Sequence, residues 1–253
     1  MILKNEASIL YSGGSDSTLV AALMCEKFER IHLLTYYHRG IPYAEKSKIN
    51  AKRLANKFGK EKIKHELINF EELFKKIHYD KYLFDLKRYK TYMTSCYCNA
   101  CQLAMHAATI MYNIKNDIHF AFDGYKREKQ HLYVFMTEEG IKETKEFYKE
   151  FKIEYDNPVY DIVRTDWELF DMGISPKKNV KFPSERLDFS TQHHCHDGIV
   201  TNAYLMGYFI PLYGQEASIK MSINYWKEKI KVMKSYIYNT MNLKNNKAYI
   251  DLK

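Results

Sequence analysis

The chain has 253 residues, 46% of them hydrophobic and 28% charged, the balance of a soluble globular chain large enough to bury a real core in one domain or one domain with an appendage. No apolar run approaches the roughly 18 to 20 residues needed to cross a membrane, and Met1–Asp16 meets polar residues at once, unlike a signal peptide, so a cytoplasmic location is expected. The net charge of +8 favours an anionic partner such as ATP or RNA, although a lysine-rich, AT-biased genome accounts for it equally well.

The first element is the apolar run Ala7–Tyr11, which reads as a buried strand. It runs straight into Ser12-Gly13-Gly14-Ser15-Asp16-Ser17, after which Val20, Leu23, Met24 and Phe28 fall at helical spacing. A strand, a tight glycine-rich turn and a helix suit an anion. The helix N-terminus offers unpaired N–H groups, the glycines let backbone approach a phosphate, and the serines add donors. The plainer alternative is an ordinary turn with Ser15 or Asp16 as N-cap. A Walker A loop is excluded, because its Gly-x4-Gly-Lys-Ser/Thr spacing is absent.

Strands and helices then alternate. Ile31–Tyr37 reads as a strand, Ala44–Phe58 as a helix, Ile63–Phe70 as a strand, a helix starts near Glu71, and Asp117–Gly124 gives a further strand. This alternation predicts an α/β fold with a parallel, Rossmann-like sheet flanked by helices. Ligands of such sheets sit at the carboxyl ends of the strands, so Ser12–Ser17, Tyr36–Arg39 and Asp123–Arg127 are expected to converge on one crevice. From Asn157 the chain reads as a short strand, a helix from about Thr165 and a stop at Gly173. The last helix begins near Gln215. Ile219, Ile223, Trp226, Ile230, Met233 and Ile237 form a stripe along it, with Lys220, Lys227, Lys229, Lys231 and Lys234 mostly off the stripe. Packing of the stripe on the chain's own core is the favoured reading; a homodimer through the stripe and RNA contact by the lysines are the alternatives.

Five cysteines, an odd number without an export signal, argue for metal or redox duty rather than a disulfide scaffold. Cys96, Cys98 and Cys101 stand just before a helix whose Leu103, Ala107, Ile110, Met111 and Ile114 share one face. Cys98 and Cys101, three apart, are expected to point the same way at the helix N-terminus, where the dipole lowers a thiol's pKa. Cys195 lies far downstream among His193, His194 and His196, while Cys25 reads as a buried structural thiol.

The string Ser12–Ser17 resembles the S-G-G-x-D-S loop of the PP-loop ATP pyrophosphatases, a HUP-type superfamily that includes tRNA thiolation enzymes, 7-cyano-7-deazaguanine synthase, GMP synthetase and argininosuccinate synthase. The resemblance runs from about Ile9 to Gly198 and divides the chain into an ATP-binding α/β domain over 1–200 and a C-terminal helical extension over 201–253. It implies cleavage of ATP to AMP and pyrophosphate with Mg²⁺, adenylation of a carbonyl oxygen, and displacement of AMP by a nucleophile. Ser12, Gly13, Gly14, Ser15, Asp16, Ser17 and Tyr36, with Lys126 and Arg127, would hold ATP, and Asp16 and Ser17 would act in catalysis.

Compact tRNA thiolases carry a C-x2-C at a mid-chain helix start and a further cysteine some ninety residues on, together holding a [4Fe-4S] cluster with one open iron. Cys98, Cys101 and Cys195 match that order. The extra Cys96 and the neighbouring histidines leave a Zn²⁺ site open, and a metal-free catalytic or persulfide-carrying cysteine is the third option. Where thiolases usually have Gly-His-Asn-x-Asp-Asp, this chain has Asp123–Glu128, a departure that bears on the tRNA assignment. The resemblance therefore implies thiolation of a nucleobase-containing substrate, free or in tRNA, with a separate sulfur donor. Nitrogen transfer and a non-catalytic ATP sensor are the rivals.

Overall fold

The computed structural model describes residues 5–39, 41, 43–127, 133–176 and 195–243. Five strands, β1 (Glu6–Leu10), β2 (Arg30–Tyr37), β3 (Ile63–Asn69), β4 (Phe120–Phe122) and β5 (Glu154–Asp156), form one sheet in the order β3-β2-β1-β4-β5. Every pairing is parallel, with Ile9 opposite Leu33 on one side and Phe122 on the other. This is the parallel, Rossmann-like sheet that the alternation of elements implies. The strand order reverses at β1 and β4, which opens a crevice at their carboxyl ends.

Helices cover both faces. On one, α1 (Ser15–Cys25), α2 (Lys48–Phe58) and α7 (Thr165–Asp171) pack through Leu19, Val20, Leu54 and Leu169 onto Ala7, Ile9, Ile31 and Leu33. On the other lie α3 (Glu71–His78), α4 (Tyr82–Tyr89), the long α5 (Met93–Asn116) and α6 (Glu138–Lys149). There Phe74, Leu103, Ala107, Ile110 and Phe147 pack with Leu34, Tyr36, Ala121 and Tyr155 of the sheet. Strands buried on both faces explain why β1 and β2 read as continuous apolar runs.

Three expectations need correction. The predicted helix over Ala44–Phe58 starts as a tight 3₁₀ turn, Ala44–Ser47, before α2. The segment after Asn157 is not a strand: β5 ends at Asp156, and turns follow, with Tyr160 donating to Asn157 O and Ile162 to Val159 O. Pro158 lacks the N–H that a ladder requires there. α7 does begin at Thr165, and Gly173, at φ 70°, follows it as the expected stop. Finally, α1 is capped by Gly14 and not by Ser15 or Asp16, so no side chain covers its first N–H groups.

The chain returns through α8 (His196–Tyr204), a π-turn (Leu205–Phe209) and α9 (Ile210–Tyr213) into α10 (Gln215–Thr240). α10 lies against α5: Trp226, Ile230, Met233 and Ile237 are buried in the shared core, and Asn99 donates to Ser222 across the contact. The stripe thus packs on its own chain. Of the lysines beside it, Lys227 bridges Glu139 and Glu143, Lys234 reaches Glu150, and Lys229 is buried 2.5 Å from Asp85, which removes Lys229 from the lysines weighed for RNA contact. Among the described residues no helix is long and apolar enough to cross a membrane.

Candidate functional site

The loop between β1 and α1 folds around the Ser17 hydroxyl. Ser12 N donates to Ser17 Oγ at 3.3 Å, the two hydroxyls lie 3.2 Å apart, and Ser17 Oγ donates to Gly14 O. Gly13 sits at φ 80°, a conformation only glycine adopts cheaply, and its carbonyl accepts from the buried Asn50 amide at 2.8 Å. With Gly14 as an uncapped N-cap, the first N–H groups of α1, those of Ser15, Asp16 and Ser17, remain for a ligand. Asp16 is held in place by Thr165, whose hydroxyl donates to it at 2.5 Å, and by Lys126 at 3.4 Å.

A pocket of about 450 Å³ opens on this loop. Ser12, Gly14, Asp16 and Ser17 form one wall, Tyr36 and Ile41 another, Asp123, Gly124 and Tyr125 a third, and Cys101 and Cys195 reach it from the fourth. The three carboxyl-end segments therefore meet in one crevice at the switch point. Gly124 makes this possible, since a Cβ there would stand 2.7 Å from Ser17 N and 2.9 Å from the Asp16 carbonyl carbon. Asp123, buried beneath it, accepts from Tyr155, Asn157 and the Tyr125 N–H, while burial raises its pKa to about 7. Arg127 turns away from the loop: its guanidinium bridges Glu138 and Asp161 and stacks on Tyr160.

The cysteines divide into two groups. α5 begins at Met93, so all three stand inside the helix, where residues two apart point to different sides. Cys96 faces the Asp85–Lys229 pair, is wholly buried, and its thiol pKa is raised mainly by that burial. It does not join the others, which corrects its place as a possible fourth ligand. Cys98 meets the Tyr133 and Thr201 hydroxyls, whereas Cys101 lies 3.8 Å from His38 Nε2. Cys195 caps α8 and accepts from Gly198 N at 3.2 Å.

The expected lowering of thiol pKa is overturned. Burial pushes Cys98 up to about 11 and Cys101 well above its ordinary value, and the neighbouring Cys195 charge raises both further. The dipole acts within the first turn only, and these thiols lie beyond it. Cys195 is also raised by burial, against the backbone donors that favour its thiolate. Among the described residues no three His, Cys, Asp or Glu side chains are arranged to hold one metal ion. Cys98, Cys101 and Cys195 nonetheless lie near enough for the charge of one to act on the others, His196 is exposed, and His193 and His194 lie outside the described residues.

Sequence reasoning misses the roles of Asn50, Gly124, Thr165 and His38. A polar residue on the inner face of α2 and a glycine directly after a strand are the signals that point to the first two.

No protein-family model and no curated protein matches the chain. Among solved structures it is similar to a 4-thiouridine synthetase in complex with RNA and bound ATP, at 15% identity over 85% of this chain with a TM-score of 0.43. The chain spans about half, 53%, of that protein's length. It is also similar to a predicted subunit of tRNA methyltransferase from Methanocaldococcus jannaschii, at 19% identity over 76% of this chain and 96% of that one, TM-score 0.35.

Proposed function

We propose that the chain is a PP-loop ATP pyrophosphatase that adenylates a carbonyl oxygen of a nucleobase-containing substrate and replaces that oxygen with sulfur. The observation that carries this reading is the shared pocket in which the Ser12–Ser17 loop faces Cys101 and Cys195. A nucleotide site and two thiols on one cavity put an activating group and a sulfur carrier within reach of the same substrate atom.

The α1 N-terminus and the serine hydroxyls bind the phosphates, which places the α-phosphorus toward the cavity. The substrate's carbonyl oxygen attacks that phosphorus, and pyrophosphate leaves with the electron pair of the broken P–O bond. Carbon now carries AMP, a far better leaving group than oxide. A persulfide on Cys101, loaded by a separate sulfane-sulfur donor, adds its outer sulfur to that carbon and AMP departs; the Cys195 thiol then attacks the Cys101 sulfur, which releases the thiocarbonyl product and leaves a Cys101–Cys195 disulfide for an external dithiol to reduce. Asp16, 39% exposed on the same loop, would hold Mg²⁺ through its carboxylate alongside substrate phosphates, and the ion would supply charge neutralisation for the departing pyrophosphate. Lys126 adds a positive charge beside Asp16.

The test is product analysis with candidate nucleobase acceptors. AMP and pyrophosphate should form, and Asp16→Ala should abolish them. Cys101→Ala and Cys195→Ala should lose the sulfur-containing product while adenylation partly persists, and Cys96→Ala should be tolerated. ADP and phosphate as products would overturn the assignment; a full yield of thiolated product in Cys195→Ala would remove the sulfur step.

A further inference from the structure

A second concavity, of about 690 Å³, lies behind the cysteines. One wall is the end of α3 and the face of α4, with Tyr79, Tyr82, Leu86 and Lys90; the other is α8 and the π-turn, with Val200, Tyr204 and Tyr208; Met93 and Tyr97 of α5 form the floor. Its rings are available. Tyr79 is 51% exposed, Tyr82 38% and Tyr208 43%, and the Tyr79 and Tyr82 rings stack at 29° with centroids 6.1 Å apart. His78 at the base is neutral at pH 7, its pKa lowered by burial to about 4.

The charge of this face differs from that of α10. There Lys227, Lys229 and Lys234 are tied to carboxylates, whereas Lys90, the lysine of the groove lining, has no ion-pair partner among the described residues. Asp197 is the one carboxylate among the described residues of the lining, at the inner end. That inner end is shared with the cysteines: Tyr97 adjoins Cys98, Thr201 hydrogen-bonds to Cys98, and Asp197 follows Cys195 by two residues. The thiols thus stand in the partition between the phosphate-loop pocket and this groove.

We propose that the groove holds an unpaired stretch of a nucleic-acid strand, its bases stacked on Tyr79, Tyr82 and Tyr208 and a phosphate against Lys90. Exposed rings beside an unpaired cation suit that ligand because every base offers a stacking face and every linkage a negative charge. The groove depends on the thiolation chemistry only for the step after binding, the presentation of one base to Cys101.

The experiment is fluorescence anisotropy without ATP, using labelled unpaired 12-mers of RNA and of DNA, with a duplex RNA of equal length as comparison. Unpaired strands should bind more tightly than the duplex. Tyr82→Ala and Tyr208→Ala should each weaken binding about 5- to 150-fold, the range for loss of one stacked base. Tyr82→Phe, which keeps the ring, should bind like the parent. Lys90→Ala should reduce the slope of log affinity against log salt by about 0.7. Tighter binding of the duplex, unchanged affinity in both alanine variants of tyrosine, or an equal loss in the exposed α10 pair Lys220→Ala/Lys231→Ala would overturn the proposal. So would a dimer in sedimentation that Tyr82→Ala dissociates, since a second copy would then cover this face. The two readings fail separately: ADP formation refutes the ATP chemistry and leaves the groove, whereas AMP formation with a free nucleobase and no strand binding refutes the groove alone.

Discussion

Gly124→Ala tests whether the loop after β4 and the start of α1 act as one unit. The added Cβ would stand 2.7 Å from Ser17 N, and the obstacle is backbone rather than a side-chain end that can swing aside. Reaching an ordinary contact at 3.4 Å demands about 0.7 Å of separation between the β4 loop and the helix N-terminus. Gly124 does not occupy the positive-φ region, so alanine adds no backbone strain of its own. Displacements near 1 Å at reacting groups cost on the order of 100-fold in rate, so the variant should lose about 10- to 100-fold in AMP formation while melting close to the parent. Steady-state pyrophosphate release, with circular dichroism melting, measures both. Gly207→Ala is the control, because its Cβ would meet nothing within 4 Å. Full activity in Gly124→Ala would refute the claim that this close approach sets the phosphate site.

Lys229→Met strands the buried Asp85, whose Oδ1 already has no partner among the described residues; the loss should be about 3–5 kcal/mol, read as a melting drop of roughly 6–20 °C, and Asp85→Leu in the same chain should recover most of it. Equal melting of Lys229→Met and the parent would show that the pair is solvated. Ile230→Asp puts an unpaired charge in the α5–α10 contact and should destabilise strongly in chemical denaturation; a parent-like midpoint would mean that the stripe is not packed. Acid should weaken the fold. His106, His65 and His78 have pKa values lowered by burial to about 3, 4 and 4, below the ordinary 6.5, so the unfolded chain binds more protons across that window. The stability is present above pH 6.5 and is lost as pH falls toward 4, and denaturant midpoints that stay flat from pH 7 to 5 would contradict this.

Much of the frame is written in local order. Apolar runs in β1 and β2 and helical spacing in α1 need only neighbouring residues to be read, and a strand running into Ser12–Ser17 and a helix places a glycine-rich loop at the carboxyl end of a strand. The stripe on α10 announces a buried face, but not what covers it. What lay beyond the sequence depends on rotation and depth. The C-x2-C spacing could not tell that α5 starts at Met93, which turns Cys96 toward Asp85 and lifts Cys98 and Cys101 off the helix end. Nor could it tell that burial outweighs the dipole, since the desolvation of a thiolate is set by residues such as Tyr133 and Thr201, which arrive from distant parts of the chain. Arg127 and Lys126 are adjacent in sequence, yet one reaches Glu138 and Asp161 and the other Asp16. The sequence by itself determined the parallel sheet and the position of its glycine-rich loop, because both follow from local apolar patterning and turn chemistry. Only the tertiary structure decided which thiols share the loop's pocket, because that is a matter of which side chains the packed helices turn inward together.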